Sequence, residues 1–323
     1  MTELDRRRLL WSLLGAAGSL PLMVSTRSRA EGLASCAERL AFTDPAKDYH
    51  GFALHDLSVD GCAGHIVLPE RPLLGQPWVW RTMFWDDFQN ADIAFLKAGF
   101  HVAYLGVGNS FGSPDAMQHF DAFYAEMRGK YALARKPALE GLSRGGLYAY
   151  RWACANAAKV GAVYGDAPVC DLKSWPDGKG KGDGSPDDWT AAIKAYRFAD
   201  EAEMMAFRGN PIDTLASLAA LRVPILHVCG DADTAVPQSE NTDVLRARYM
   251  ALGGPMALII KHGCGHHPHG SRTRRRSLIS SPHGVQGAAR PRRRADTRRR
   301  PDRSWSCSLR NGIMCRLRQH SYK

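Results

Sequence analysis

The segment Gly141-Leu142-Ser143-Arg144-Gly145 constrains the fold of this chain more than any other part of its sequence. An apolar stretch typical of a β-strand, Lys136–Leu142, precedes the serine directly, and a helical pattern, Gly145–Ala155, follows it at once. So sharp a turn from strand to helix leaves little room for side chains, which explains the glycines on both sides. The sequence therefore predicts a strand–turn–helix unit that projects the Ser143 hydroxyl above a sheet edge.

Strands and helices alternate along most of the chain. Other buried strands are predicted at Trp78–Arg81, Phe100–Val107, Val160–Gly165, Val223–Cys229 and Met256–Ile260. Because strand–helix–strand connections are right-handed and yield parallel neighbours, this order predicts an α/β fold with a mainly parallel sheet covered on both faces. Before it, two short apolar strands joined across Asp60-Gly61 predict an antiparallel hairpin.

An irregular segment at about residues 171–208 interrupts this alternation. It contains a glycine-rich run at 178–184 and then Trp189 in a helical stretch. Insertions of this kind between sheet strands are most often lids or binding loops. We therefore expect a lid here.

Loops that carry acidic and histidine side chains follow the last two predicted strands. Gly230–Pro237 contains Asp231 and Asp233, and Lys261–Gly270 contains four histidines. A serine hydroxyl is a weak nucleophile until a base takes its proton, and a carboxylate behind a histidine orients the imidazole for that task. Each of these two loops directly follows a predicted strand, as Ser143 does.

These segments resemble the α/β-hydrolases, and in particular a group of exported bacterial esterases and prolyl-oligopeptidase-like peptidases. Gly230–Pro237 is similar to the family's G-x-x-D-x-x-V-P segment, and residues 263–266 are similar to its histidine turn. The resemblance covers about Tyr49 to Gly270. It implies an α/β-hydrolase fold with Ser143, Asp233 and His266 as catalytic residues.

Alternatives stay open for two of these roles. Asp231 or Asp166 is a candidate for the acid, and His267 or His269 for the base. Four clustered histidines are also typical of metal sites, but no cysteine set or carboxylate completes one. The sequence predicts neither a metal ion nor a cofactor.

The resemblance also implies an oxyanion hole made of two backbone N–H groups. One belongs to Arg144, directly after the nucleophile, and the other to Met83, in the loop after Trp78–Arg81. Arg81 has two interpretations, because its side chain either reaches the pocket or pairs with a carboxylate.

The positive charge of the chain is concentrated at its end. The formal net charge is +11, yet 16 of the 43 Lys and Arg residues and 2 of the 32 Asp and Glu residues fall in Ser271–Lys323. Residues 1–270 thus carry a net charge of −3, and no nucleic acid partner is expected for them. The tail lacks a periodic apolar pattern, which predicts disorder and favours a frameshift in GC-rich DNA over a genuine basic arm.

The N-terminal residues 1–30 resemble a twin-arginine export signal. Arg6-Arg7-Arg8 precedes an apolar run, Leu9–Val24, and Ser28-Arg29-Ala30 fits a cleavage site. A transmembrane anchor or a lipoprotein box ending at Cys36 are the alternatives. We expect a periplasmic or extracellular catalytic domain at residues 31–270, in which export permits a Cys36–Cys62 disulfide.

Together these features predict an exported serine hydrolase. The main prediction is a carboxylic ester hydrolase that forms an acyl-enzyme on a small-molecule or acylated carbohydrate ester. The alternatives are a prolyl-oligopeptidase-like serine peptidase and a non-catalytic binding protein on the same fold.

Overall fold

The computed structural model of the chain describes Phe42 and residues 44–266. The predicted export signal, the arginine-rich tail, His267 and His269 lie outside these residues. The strands are β1 (Lys47–Tyr49), β2 (Phe52–Val59), β3 (Cys62–Leu68), β4 (Trp78–Arg81), β5 (His101–Leu105), β6 (Ala138–Leu142), β7 (Ala162–Asp166), β8 (Ile225–Gly230) and β9 (Met256–Lys261). The helices are α1 (Asn90–Lys97), α2 (Pro114–Gly129), α3 (Gly145–Ala155), α4 (Pro186–Tyr196), α5 (Glu201–Ala206), α6 (Ala216–Ala220) and α7 (Thr242–Ala251).

In the described residues the strands form a nine-stranded sheet in the order β1-β2-β3-β5-β4-β6-β7-β8-β9. The strands from β5 to β9 in this order are parallel, and β1, β2 and β3 add to their edge in antiparallel fashion. The β2–β3 hairpin turns at Asp60 and Gly61, whose φ angles of 50° and 77° match the twist of its strands. The predicted α/β fold and its hairpin are confirmed.

Apolar side chains cover both faces of the sheet. Neighbouring residues of one strand, Val79 and Trp80, belong to different buried clusters, as the alternation along a strand requires. The larger cluster includes side chains of α2, α3, α6 and α7, and the smaller one includes Leu96 of α1. Helices therefore lie on both faces of the sheet, as predicted.

Helix α1 buries a charged side chain beside an apolar one. Asp92 and Leu96 are its buried residues, Phe95 is partly buried against the smaller cluster, and Ala94 is exposed. Asp92 forms an ion pair with Arg81 in the interior. A buried arginine needs such a partner, because an uncompensated charge in the interior is strongly destabilising.

An apolar groove with a volume of about 1060 Å³ lies beside α1. Ala94 and Phe95 of α1 line one side of it, and Ala138, Tyr164 and Leu226 line it from three adjacent strands. These three strand residues are each partly exposed in the described part of the chain.

Candidate active site

Ser143 occupies a strained turn between β6 and α3. Its φ of 49° lies in the left-handed region, which L-residues seldom adopt unless their surroundings impose it. The surroundings do so here, because the Ser143 N–H donates to the Asp166 carbonyl at 2.9 Å. The Ser143 carbonyl in turn accepts from the N–H groups of Gly146 and Val169, at 2.9 and 2.8 Å.

The glycines around Ser143 are required by close backbone contacts. A Cβ on Gly141 would lie 2.9 Å from the carbonyl oxygen of Gly145, and one on Gly146 would lie 2.6 Å from Cβ of Pro168. Neither contact is tolerated by rigid backbone or ring atoms. The structure therefore gives the glycines the role that the sequence predicts for them.

Three side chains from three separate loops form one hydrogen-bonded chain. His266 Nε2 lies 2.8 Å from Ser143 Oγ, and His266 Nδ1 lies 2.7 Å from Asp233 Oδ2. The other Asp233 oxygen accepts the N–H groups of Ala235 and Val236 at 3.0 and 2.9 Å. With only 1% of its side chain exposed, Asp233 is shielded from water, whereas 21% of His266 is exposed. This is the arrangement of a serine–histidine–aspartate triad.

The alternative acids have other partners. Asp231 Oδ2 lies 2.7 Å from Nδ1 of His262, and Oδ1 accepts the Gly263 N–H at 2.6 Å, both at the surface. These hydrogen bonds lower the pKa of Asp231. Asp166 accepts a hydrogen bond from the Tyr164 hydroxyl at 2.9 Å. The structure thus places Asp233, and not Asp231, against His266.

The two predicted oxyanion donors lie on segments that contact each other. Arg144 immediately precedes α3, and Met83 belongs to the loop after β4. The Thr82 hydroxyl connects the Met83 loop to the serine turn, since it contacts the carbonyl oxygens of Glu140 and Gly145 at 2.9 Å each. The absence of a side chain at Gly145 also lets Met83 approach, because a Cβ there would lie 3.3 Å from Cβ of Met83. Their function as oxyanion donors stays a prediction.

Arg81 pairs with carboxylates and does not extend into the cleft. Its guanidinium is fully buried, with Nη1 2.5 Å from Asp92 Oδ2 and 3.7 Å from Glu140 Oε1. Burial, and then the neighbouring Asp92, raise the pKa of Glu140 well above its ordinary value. The sequence analysis predicted neither carboxylate. Glu140 was detectable, because an acidic residue inside a buried strand just before the serine motif indicates a buried partner of opposite charge.

Arg144 lies between the turn and the predicted lid. Its Nη1 contacts Asn109 Oδ1 at 2.6 Å and Asp188 Oδ1, in the first turn of α4, at 3.1 Å. Aromatic rings surround the guanidinium carbon at centroid distances of 5.3, 5.9 and 5.5 Å, from Phe84, Phe111 and Trp175 respectively. The segment predicted as a lid thus contacts the residue beside the nucleophile.

Other sequence predictions concern metals, thiols and membranes. Among the described residues, no group of three or more His, Cys, Asp or Glu side chains is arranged to hold a metal ion. Cys62 is a free thiol, but Cys36, its suggested partner, lies outside the described part. No helix at residues 44–266 has the length and apolarity needed to cross a membrane.

Solved structures share this architecture at low sequence identity. A puromycin-hydrolyzing peptidase of Mycobacterium tuberculosis matches with a TM-score of 0.53 and 15% identity over 67% of this chain and 37% of its own. A puromycin hydrolase matches with a TM-score of 0.54 and 18% identity, over 68% of this chain and 36% of its own. An acylaminoacyl peptidase in complex with Z-Gly-Gly-Phe-chloromethyl ketone matches with a TM-score of 0.51 and 14% identity, over 68% of this chain and 40% of its own.

This chain therefore spans about two fifths of the length of those proteins. No protein-family model and no curated protein matches it. The structural similarities show that the chain has the α/β-hydrolase fold, which confirms the fold that the sequence predicts.

Proposed function

We propose that this protein is a serine hydrolase that acts through a covalent acyl-enzyme. The observation that carries the proposal is the hydrogen-bonded chain from Asp233 through His266 to Ser143. Each donor–acceptor distance in it is below 3 Å, so the histidine already has the hydrogen bonds that a general base needs. The strained turn that presents Ser143 supports the same function.

In the proposed mechanism, Ser143 Oγ attacks the substrate carbonyl while His266 Nε2 takes the hydroxyl proton. The buried Asp233 carboxylate stabilises the imidazolium that results. The tetrahedral oxyanion accepts hydrogen bonds from the N–H groups of Arg144 and Met83. His266 then protonates the leaving group, and a water molecule, activated by the same histidine, hydrolyses the acyl-enzyme.

For the bond that is cleaved, we propose an amide or peptide bond in preference to the carboxylic ester of the sequence-based prediction. The structural neighbours support this choice, because they are described as a puromycin-hydrolyzing peptidase, a puromycin hydrolase and an acylaminoacyl peptidase. Esters of the same acyl group remain chemically accessible to such a triad, since an alkoxide leaves more easily than an amine.

Labelling with a fluorophosphonate tests whether the protein is an enzyme of this class. The wild-type protein is expected to be labelled and Ser143→Ala to remain unlabelled. Ser217→Ala is a matched control, because its hydroxyl donates to the Cys154 carbonyl on α3, away from the triad. Equal labelling of wild-type protein and Ser143→Ala would contradict the assignment of Ser143 as the nucleophile. No labelling of either protein would favour a non-catalytic binding protein.

A panel of paired substrates tests the bond. Aminoacyl, acetyl and butyryl groups are each offered as a p-nitroanilide and as a p-nitrophenyl ester. Cleavage of aminoacyl anilides that disappears in Ser143→Ala is the expected result. Cleavage of the acetyl and butyryl esters alone would restore the esterase prediction.

A further inference from the structure

We propose that Arg81 is a positioning residue for the oxyanion hole. It holds the oxyanion loop, defined here as residues 82–89 between β4 and α1, in the conformation that presents the Met83 N–H. The inference rests on the proposed function, because it concerns how one of the two predicted oxyanion donors is oriented.

One guanidinium makes three hydrogen bonds to the backbone of this loop. Arg81 Nε donates to the carbonyl oxygens of Met83 and Phe84 at 3.3 and 3.0 Å, and Nη2 donates to that of Asp87. Because Arg81 is itself the last residue of β4, the sheet anchors the group that makes these bonds. The peptide planes on the carboxyl side of Met83 are thereby fixed.

The loop needs such support because its backbone is strained. Phe84, Asp86 and Phe88 have φ angles of 58°, 64° and 52°, and none of them is a glycine. Non-glycine residues in the left-handed region raise the energy of a loop and persist where surrounding contacts impose them. The Arg81 hydrogen bonds lie at or beside these three positions.

Two carboxyl groups fix the guanidinium from behind. Asp92, at the start of α1, lies 2.5 Å from Nη1, and Glu140, three residues before Ser143, lies 3.7 Å from it. Within the part of the chain that the structure describes, neither carboxylate oxygen of Glu140 accepts a hydrogen bond from an N–H group or from a Tyr, Ser or Thr hydroxyl. Burial and the neighbouring Asp92 raise the pKa of Glu140, which disfavours a second negative charge beside Asp92 and leaves Asp92 as the closer partner of the guanidinium.

The same cluster links the oxyanion loop to the serine turn. The Glu140 carbonyl accepts the Thr82 N–H at 3.0 Å, and the Thr82 hydroxyl contacts the Gly145 carbonyl at 2.9 Å. The Met83 N–H therefore lies between Thr82, which is bonded to the serine turn, and the Met83 and Phe84 carbonyls, which are bonded to Arg81. An oxyanion donor acts only within about 2.7–3.1 Å of the developing charge, so its loop must be rigid.

Arg81→Lys tests this inference. Lysine keeps the positive charge, but one ammonium group does not reach Asp92 and three carbonyl oxygens together. Loss of one oxyanion donor lowers kcat about 10²–10³-fold in related enzymes, so we expect a fall of about 10²-fold with KM changed less than about threefold. Affinity for a boronic acid, whose serine adduct is tetrahedral, should fall with kcat.

Arg248→Lys is the matched control. Arg248 also bonds a backbone carbonyl and a carboxylate, those of Ile212 and Asp213 at 2.8 and 2.9 Å, but it lies on α7 away from the turn. The kcat and the boronate affinity of Arg248→Lys should stay within about twofold of wild type. Amide hydrogen exchange in residues 82–89 should rise in Arg81→Lys and remain unchanged in Arg248→Lys.

If Arg81→Lys does not fold, Asp92→Asn provides the second variant, since it keeps the shape of the side chain and removes its charge. A folded Asp92→Asn protein should lose kcat about tenfold at constant KM. A folded variant of either kind with wild-type kcat and wild-type exchange in the loop overturns the inference and leaves the proposed function intact. Wild-type protein that neither turns over nor reacts with the fluorophosphonate overturns both.

Discussion

Replacing Asp233 by asparagine should inactivate the protein through the tautomer of His266. Asp233 Oδ1 accepts two backbone N–H groups, from Ala235 and Val236. In Asp233→Asn the amide oxygen is required at that position, so the NH₂ group takes the place of Oδ2 and points at His266 Nδ1. That nitrogen must then accept a hydrogen bond, which moves the ring proton to Nε2. Nε2 faces Ser143 at 2.8 Å and no longer removes its proton.

The expected magnitude follows from this change of tautomer. The corresponding substitution in related triads lowers kcat by about 10⁴-fold, and at 1.36 kcal/mol per factor of ten this is about 5.4 kcal/mol of lost transition-state stabilisation. Ground-state binding does not involve the Nε2 proton, so KM should change little. Folding should be retained, since asparagine keeps the two hydrogen bonds that Asp233 Oδ1 makes.

The assay compares Asp233→Asn with Asp231→Asn under identical conditions. Asp231 is two residues away and also binds a histidine at 2.7 Å, but this pair is at the surface and far more exposed. Exposed ion pairs contribute little, so kcat of Asp231→Asn should stay within about twofold of wild type. Equal losses in the two variants, or more than a tenth of wild-type kcat in Asp233→Asn, would refute the tautomer argument.

Three further predictions concern stability. Burial lowers the pKa of His227 from 6.5 to about 3 and that of His101 to about 4, so below pH 6.5 the unfolded chain binds protons that the folded one refuses. The free energy of unfolding should therefore fall as pH drops from 6.5 to 4.5, by up to about 1.4 kcal/mol per pH unit for each histidine. When this free energy is measured by urea titration at each pH, it should depend less steeply on pH in His227→Gln than in wild type. Gly146→Ala should lower the melting temperature strongly, since its Cβ would lie 2.6 Å from Pro168 Cβ, and an unchanged value would show that the turn relaxes. If the frameshift prediction is right, inserting one base near the Gly270 codon restores the helix that closes an α/β-hydrolase, and the melting temperature and the turnover should rise. That helix would bury three or four large side chains on the sheet, worth about 1.5–3 kcal/mol each. No gain in stability would favour a genuine basic tail.

The fold and the position of Ser143 were accessible from the sequence because they depend on local signals. Strand and helix periodicity gave the order of elements, and the glycines around Ser143 marked a turn that tolerates no side chains at those positions. The register that selects Asp233 over Asp231 came from resemblance to a family, since both lie in one loop. Their different surroundings, one buried and one exposed, became visible only in the folded chain.

The cluster behind the oxyanion loop was not accessible in the same way. Arg81, Asp92 and Glu140 come from β4, α1 and β6, and periodicity treats each as an interruption of an apolar pattern. Their meeting depends on the spatial order of the strands, in which β6 lies beside β4 although β5 comes between them in the chain. A long-range pairing of this kind has no local signature. Three buried ionisable residues within about 60 residues still indicate a mutual partner, because none is stable in the interior alone.

The two aspartate–histidine pairs show why the candidate chemistry resides in the surroundings of a hydrogen bond more than in its length. Asp231–His262 and Asp233–His266 have the same 2.7 Å separation through the same ring nitrogen, Nδ1. In the first pair 84% of the histidine side chain is exposed, so water competes for the imidazole and screens its charge. In the second, the carboxylate is buried, two backbone N–H groups fix it, and the far nitrogen of the ring faces a hydroxyl. Only this second environment couples a proton on Ser143 to a charge on Asp233, and the strained turn at Ser143 is what brings that hydroxyl within reach.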